Sequence, residues 1–473
     1  MALFHYTQSI QNNQENSLIS VFETWRATVK VISQALPINT MRQLVAVWAG
    51  LAVLVNLLIE AGFKLDVARY FPISEFHGPT FHFTGLPFAT LFLIVFFFAL
   101  KRVARSNGFQ VWLISLVLLL LGNLAQGSID AAFYLPFQGY GGQYYYDAIQ
   151  ITDWQQWLRD FNEKQLTLQN HSQTHPPFAV LLHYFIFELG QRSLFVLSGS
   201  FIFLSSLSIF LVWQILRALE LSRPRAVQLT VFFAVIPAVN IYSAVSLEGV
   251  IATCCAFFLL GVIKTIKAGI SLAALLLVVA GFVLANLLTF AGTFLALAAF
   301  LIGWQQFQLK HRKGVFSVLS IAVLSSAIVY LIMRHRFGYD HLAAFFTAAR
   351  YENPQGFHAL HAPLEYLLTR LEGISEIALF LSLGALALLF HGEPLQRRWR
   401  DDATAISLAA MISLAAMFLS GAFKTGETAR ICLFIYPYFV LALRELEEPT
   451  LRAATIFAAL QTIIMQTCGG YFW

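Results

Sequence analysis

Apolar runs of about 17–25 residues recur along the whole chain, and each could cross roughly 30 Å of hydrocarbon as a helix. Only 12% of the 473 residues are charged and 58% are hydrophobic, with a mean hydropathy of +0.69. A soluble chain of this length needs more charge to cover its surface. Membrane-spanning β-strands would be short and alternating, unlike these continuous runs. The sequence therefore predicts an all-α, polytopic helical membrane protein.

The apolar runs predict about 13 transmembrane helices. They lie at 44–60, 83–100, 110–126, 194–214, 226–245, 249–263, 269–285, 287–304, 315–333, 374–390, 404–423, 431–443 and 452–467. One more apolar run, 178–190, is shorter and follows two prolines. Whether it crosses the membrane is decided from the charges around it.

Basic residues form short clusters between the apolar runs, as the positive-inside rule expects of cytoplasmic loops. The clusters are Arg26/Lys30/Arg42, Lys101/Arg102/Arg105, Arg217/Arg223/Arg225, Lys264/Lys267, Lys310/Arg312/Lys313 and Arg397/Arg398/Arg400. If 178–190 crossed the membrane, three of them would fall on the wrong side. We therefore predict that 178–190 is a juxtamembrane helix. Because the basic residues are clustered between the apolar runs, the net charge of +5 does not indicate nucleic-acid binding.

This threading predicts one integral membrane domain over residues 1–473. Residues 1–43 form a cytoplasmic amphipathic segment, and the first span acts as a signal anchor because no cleavable signal peptide is visible. Residues 127–193 form a large external loop with juxtamembrane helices, and 334–373 form a second large external loop. The four cysteines show neither metal-ligand spacing nor a disulfide framework.

The external stretch 127–177 is the longest polar interruption of the apolar pattern, and it contains acids, histidines and a run of tyrosines. A carboxylate just above the bilayer can accept or orient the proton of a hydroxyl group. Asp147 is the first candidate for this role, Asp130 the second and Asp153 the third, although Asp147 and Asp130 could simply cap a helix. His171 and His175 are spaced i, i+4, but no acidic motif flanks them, so we predict no metal site.

Four segments resemble the C-type glycosyltransferase superfamily (GT-C), polytopic enzymes that use polyprenyl-phosphate sugars. They are GYGGQYYYDA at 139–148, THPPF at 174–178, PAVNIYSAVSLEG at 237–249 and KTGETARICLFIYP at 424–437. The sequence departs from the family pattern at Gly141, where some members carry an aspartate, and at Phe178, where a glycine is usual. The acid of the second external loop is Glu248 rather than aspartate.

The resemblance implies inverting transfer of a sugar from a polyprenyl-phosphate donor to an extracytoplasmic hydroxyl, with a carboxylate as base. The acceptor could be a glycan, a lipid or a protein, and the need for a divalent cation stays open. The implied location is a bacterial plasma membrane with the site on its outer face. The candidate catalytic residues are Asp147, Asp130 and His175, and the candidate substrate-binding residues are Tyr145, His171, Glu248, Lys424, Glu427 and Arg430.

A transporter, a flippase or a lipid-linked-glycan ligase is the alternative. Transporters often place charges in the centres of broken helices and contain repeats. Here the span centres are nearly free of charge and no repeat is apparent, which weighs against transport. A ligase would use a large late loop, for which 334–373 is a modest candidate. Some of these residues also have a structural explanation, since Glu248 could cap a helix and Glu427/Arg430 could be an i,i+3 structural salt bridge.

Overall fold

The computed structural model describes residues 30–65, 67, 80–102, 105–139, 143–310, 312–391, 401–422 and 426–471, and the regular structure in these ranges is helical. Most of the predicted segment 1–43 lies outside the described residues. Seven helices are long and apolar enough to cross a membrane: Ile38–Glu60, Phe83–Arg102, Leu194–Ala218, Leu247–Ala268, Gly314–Phe337, Asp402–Leu419 and Glu448–Cys468. The chain is therefore a polytopic helical membrane protein.

The other helices are shorter, less apolar or interrupted. Among them are Gly108–Leu124, Trp154–Lys164, Phe178–Leu189, Arg223–Ala234, Leu272–Leu288, Gly292–Lys310, His341–Glu352 and Pro363–Leu381. Helix Phe178–Leu189 has 12 residues, or about 18 Å, less than the thickness of the hydrocarbon core. Within the described residues, seven helices, or eight if a bent pair counts as one span, meet the criteria. The predicted number of about 13 is thus not confirmed.

Two intervals predicted as single spans are broken by proline. The interval 226–245 contains helices Arg223–Ala234 and Pro237–Tyr242, separated by Ile236 in an extended conformation. The residue before a proline disfavours the helical region, and proline has no N–H to continue the ladder. The interval 431–443 is similarly divided, and its final helix, Tyr436–Ala442, has a proline in its first turn.

The predicted span 374–390 is bent rather than straight. Helices Pro363–Leu381 and Leu383–His391 meet at an angle of 103°. Ser382 stands between them with φ of 100°, in a region that favours glycine. The side chain of Gln461 bridges the bend, because its Nε2 donates to the Leu379 carbonyl at 2.8 Å and its Oε1 accepts from Leu383 N at 2.9 Å. The bend is thereby hydrogen-bonded to helix Glu448–Cys468.

Buried amides satisfy the backbone around the proline break. Asn240 Nδ2 lies 3.3 Å from the Ala234 carbonyl, and the Asn240 carbonyl accepts from Asn123 Nδ2 at 2.8 Å. Gln466 Nε2 donates to Asn240 Oδ1 at 3.2 Å, and its own Oε1 accepts from Gln126 at 2.7 Å. Because water is scarce inside a membrane protein, such side chains are needed wherever a helix is interrupted.

One end of the helix bundle is basic. Lys310 and Lys267 lie 2.7 and 3.5 Å from the two carboxylate oxygens of Asp402. Arg223 donates to the Ser106 carbonyl at 2.8 Å, and Arg312 donates to the Ile266 carbonyl at 2.6 Å. The short turns that carry the basic clusters are therefore fastened to one another. We call this region the basic end.

Candidate functional site

A cavity of about 550 Å³ lies at the end of the bundle opposite the basic end. Helix Leu247–Ala268 runs from the cavity to the basic end. Glu248 at its start lines the cavity, and Lys267 in its last turn belongs to the basic end. The turn 289–293 and helix His341–Glu352 form another part of the wall. Residues from five segments that are far apart in the sequence thus meet around one space.

The charged wall of this cavity consists of Arg430, Glu427, Glu248, His171 and His175. The Arg430 guanidinium forms an ion pair with Glu427, and its Nε lies 3.8 Å from Glu248 Oε1. Its Nη2 lies 3.3 Å from His171 Nε2. Arg430 is 4% exposed and both carboxylates are 7% exposed. Burying charges is costly, and buried ionisable groups of membrane proteins commonly mark functional sites.

The turn that carries Arg430 is fixed by hydrogen bonds to the buried carboxylate of Glu376. Glu427 has φ of 54°, a left-handed conformation, immediately before the single-turn helix Thr428–Ile431. Glu376 Oε2 accepts from Thr428 N at 2.7 Å and lies 2.8 Å from Thr428 Oγ1. Glu376 is only 1% exposed. The buried carboxylate therefore fixes the start of this turn, and with it the position of Arg430.

A hydrogen bond defines the proton position on His175, and both cavity histidines are neutral. His175 Nδ1 lies 3.0 Å from the carbonyl oxygen of His171, which can only accept, so Nδ1 carries the proton. Burial lowers the pKa of His175. Burial and the positive charge of Arg430 lower the pKa of His171 to about 3. Both rings are therefore neutral at neutral pH, and Nε2 of His175 keeps a lone pair that can accept a proton.

The apolar wall of the cavity consists of Phe290, Ala291, Phe345, Ala348 and Met417. Beside it lies a polar rim formed by Asn170, Tyr351, Glu352 and Asn353. The hydroxyl of Tyr351 donates to Asn170 Oδ1 at 3.0 Å, which joins the rim to the segment 169–175 that carries both histidines. We call this segment the histidine loop. A pocket with an apolar side and a few convergent polar groups suits a ligand that has both kinds of surface.

Five of the predicted site residues line this cavity: His171, His175, Glu248, Glu427 and Arg430. Asp147 does not line it. The Asp147 carboxylate accepts from Gln169 N at 3.1 Å, and burial raises its pKa. This hydrogen bond fastens the histidine loop to helix Gln143–Ala148. Asp147 is thus placed to position His171 rather than to touch a ligand in the cavity.

The remaining predicted residues lie elsewhere. Asp130 is exposed on the π-helical turn Asp130–Tyr134 and does not line the cavity. Tyr145 packs against Phe187, with a ring-centroid distance of 5.4 Å, and is also absent from the lining. Asp153 accepts from the backbone N–H groups of Gln155 and Gln156 and so caps helix Trp154–Lys164. Lys424 lies outside the described residues.

Sequence reasoning missed several buried polar residues. Tyr144 stacks on His171 with a centroid distance of 5.9 Å, but within a six-residue helix nothing in the sequence distinguishes its position from that of Tyr145. Sequence reasoning also placed Arg370 and Glu372 in the external loop 334–373 and assigned no role to Glu376. Arg370, Glu372 and Glu376 are buried on helix Pro363–Leu381. Glu376 was visible inside the predicted span 374–390 as a possible signal.

Among the described residues, no group of three or more histidine, cysteine, aspartate or glutamate side chains could hold a metal ion. The two cavity histidines are instead tied to a backbone carbonyl and to Arg430.

No family model matches this chain, and no curated protein matches it. A comparison with solved structures matches the oligosaccharyltransferase of Archaeoglobus fulgidus, crystallised in complex with Zn and sulfate. The TM-score is 0.38 and the sequence identity is 14%. The match covers 73% of this chain but only 53% of that chain, or about half of its length.

Proposed function

We propose that the protein is a membrane glycosyltransferase that transfers a sugar from a polyprenyl-phosphate donor to an acceptor hydroxyl outside the cytoplasm. The observation that carries this proposal is the pairing of a buried charged wall with an apolar wall in one cavity at a helix-bundle end. A polyprenyl phosphate matches these two walls, because its phosphate group is anionic and its prenyl chain is apolar. The polar rim then faces the sugar and the acceptor.

In this mechanism Arg430 binds the donor phosphate. Its planar guanidinium matches phosphate oxygens, and it stabilises the negative charge that develops on the leaving group. The acceptor oxygen forms a bond to the anomeric carbon while the bond from that carbon to the phosphate oxygen breaks. The electron pair leaves with the polyprenyl phosphate, and the anomeric configuration inverts.

We propose His175 as the base, in place of Asp147. Its Nε2 lone pair belongs to a residue that lines the cavity, whereas the Asp147 carboxylate is used to hold the loop. Nε2 of His175 takes the proton of the attacking hydroxyl, and the resulting imidazolium is stabilised by Glu248 nearby. We further propose that His171 and Glu427 hold Arg430 in place. Lys424 keeps its predicted role of helping Arg430 to bind the phosphate.

The charge balance of the site is the reason for proposing that Lys424 contributes to donor binding. Two carboxylates, Glu248 and Glu427, lie close to the single guanidinium of Arg430. An anionic donor therefore needs a second cation, and we propose that Lys424 supplies it from three residues before Glu427. Cationic groups near a transferred phosphate are a general device for stabilising its charge.

The orientation follows from the positive-inside rule. The basic end carries the clusters that the rule places in the cytoplasm, so the cavity opens on the outer side. Polyprenyl-phosphate sugars that cross the membrane would then reach the site from the outer leaflet.

The test is sugar transfer by purified protein in lipid nanodiscs, with radiolabelled polyprenyl-phosphate sugars as donors. Arg430→Ala should reduce transfer by at least about 100-fold, because a charge-assisted contact to the leaving phosphate is lost. Arg192→Ala is the matched control, since Arg192 pairs with Glu188 on the surface and is 65% exposed. Unchanged transfer in folded Arg430→Ala protein would reject this site.

A lipid transporter or flippase is the second candidate. The observation that favours it is the bend of 103° between Pro363–Leu381 and Leu383–His391, on a helix that buries Arg370, Glu372 and Glu376. Interrupted helices and ionisable residues inside the membrane are typical of transporters. Proteoliposomes that flip a fluorescent polyprenyl-phosphate sugar in the absence of any acceptor, and that form no transfer product with one, would establish this alternative.

A further inference from the structure

The hydroxyl group of Tyr144 is buried without a hydrogen-bond partner among the described residues. Tyr144 is 5% exposed. A buried tyrosine hydroxyl normally finds a partner, because leaving a buried donor unpaired is costly. An unpaired donor of this kind points to an interaction that forms in another state of the protein.

The aromatic ring of Tyr144 packs directly on the histidines of the charged wall. It stacks on His171 with a centroid distance of 5.9 Å and meets His175 edge to face at 5.3 Å. It also stacks on His183 at 5.4 Å. The ring is therefore fixed in place, and the hydroxyl is held in a defined position beside the charged wall.

Burial and the nearby Glu248 keep the Tyr144 hydroxyl protonated. Burial raises the pKa of Tyr144 well above its usual value, and the negative charge of Glu248 raises it further. Arg430 has an opposing but smaller effect. The group is thus available as a hydrogen-bond donor, and the Glu248 carboxylate is close enough for its charge to affect the Tyr144 pKa.

Glu248 depends on Arg430 for its countercharge. The distance of 3.8 Å from Glu248 Oε1 to Arg430 Nε is longer than a hydrogen bond, whereas Arg430 contacts Glu427 closely. An anionic ligand that binds Arg430 weakens this already loose pairing. The buried carboxylate then needs another stabilising group, because a buried charge without a partner is strongly unfavourable.

We propose that the Tyr144 hydroxyl donates a hydrogen bond to Glu248 when an anionic ligand occupies Arg430. Tyr144 would then be a positioning residue that acts through Glu248. The inference rests on the proposed function for the identity of the ligand, a lipid phosphate.

The test uses Tyr144→Phe and farnesyl phosphate, a prenyl phosphate without a sugar, with binding measured by calorimetry in detergent micelles. The variant should bind the probe roughly tenfold more weakly or worse, the loss typical of a hydrogen bond to a charged group. Without ligand, its unfolding temperature should equal or exceed that of the wild type, since no hydrogen bond is removed. Tyr145→Phe, one residue along the same helix, is the control and should bind normally.

A second pair of variants shows whether Glu248 is the acceptor. In a Glu248→Gln background, adding Tyr144→Phe should weaken binding much less than it does in the wild type. A full effect in that background would overturn the proposal, because the hydroxyl would then contact the ligand itself.

The remaining outcomes are distinct. Equal binding by wild type and Tyr144→Phe overturns this inference and leaves the proposed function in place. A lower unfolding temperature of ligand-free Tyr144→Phe also overturns it, because the hydroxyl would then be a structural group. Failure of the wild type to bind farnesyl phosphate rejects the lipid-phosphate ligand on which both proposals depend.

Discussion

A carboxylate near a histidine pair can act as a base or can hold the loop in place, and the contacts of Asp147 favour the second role. As a base it would face the cavity, whereas here it accepts a hydrogen bond from the backbone N–H of Gln169. Asp147→Asn should therefore lower the free energy of unfolding by about 1 kcal/mol, because a neutral amide is the weaker acceptor. Sugar transfer should persist within about tenfold of the wild-type rate, since no group in contact with the ligand is lost.

The measurements are thermal unfolding in detergent and sugar transfer in nanodiscs. Asp153→Asn is the control, because asparagine caps a helix about as well as aspartate does. Complete loss of transfer by well-folded Asp147→Asn protein would return the role of base to Asp147.

His171 makes stability depend on pH. Its pKa in the folded protein is about 3, below the ordinary value of 6.5, because the neutral ring is buried beside Arg430. The unfolded chain therefore takes up the proton first on acidification. The contribution of His171 to stability is complete above pH 6.5 and is lost as the pH falls from 6.5 towards about 3.

His171→Gln should accordingly flatten the decrease in unfolding temperature between about pH 6.5 and pH 4. Glutamine keeps an oxygen that can accept from Arg430 but does not titrate. His335→Gln is the control, since His335 is exposed. If the wild type and His171→Gln lose stability in parallel over this range, His171 is not buried in its neutral form.

The residues of the site were predictable to different degrees. Glu248, Glu427, Arg430 and the two histidines stand out because polar groups are rare between apolar runs. The choice among neighbouring loop residues was not predictable. Whether Asp147 or His175 faces the cavity depends on a hydrogen bond to Gln169, far along the loop, and no local pattern encodes that contact.

At the scale of elements, the bend at Ser382 stores backbone strain. Its φ of 100° is unfavourable for a residue with a Cβ atom, and its hydroxyl has no hydrogen-bond partner among the described residues. Ser382→Gly should raise the free energy of unfolding by about 1 kcal/mol, because glycine adopts this conformation without strain.

Thermal unfolding in detergent measures this effect. Ser375→Gly in the preceding helix is the matched control, and it should instead destabilise the protein by about 1 kcal/mol. A lower unfolding temperature for Ser382→Gly would show that the serine side chain stabilises the bend.

The helix breaks differ in how well the sequence indicates them. Pro237 and Pro437 are direct signals, and only the length of the surrounding apolar runs favours continuous spans there. Ser382 gives no such signal, because serine is acceptable inside a helix and the bend is held by Gln461 from another helix. Long apolar helices are predictable from local composition, whereas bends fixed by distant side chains are not.

At the scale of the whole molecule, the basic end and the cavity lie at opposite ends of the bundle, and this predicts how the protein is oriented in the membrane. Lysine and arginine in short loops are retained in the cytoplasm during membrane insertion, so the opposite end should be external. Cysteine labelling on intact cells tests this directly. The native cysteines interfere little, because Cys254, Cys255 and Cys432 are buried, and Cys468→Ser removes the partly exposed one.

In this background, Tyr351→Cys at the cavity rim should react with a membrane-impermeant maleimide in intact cells, since Tyr351 is 41% exposed. Arg217→Cys at the basic end should react only after the membrane is permeabilised, and detergent-solubilised protein shows that both positions can react. The reverse pattern would place the cavity in the cytoplasm. Transfer to an external acceptor would then be excluded, because the phosphate and the attacking hydroxyl must meet on the same side of the membrane as Arg430.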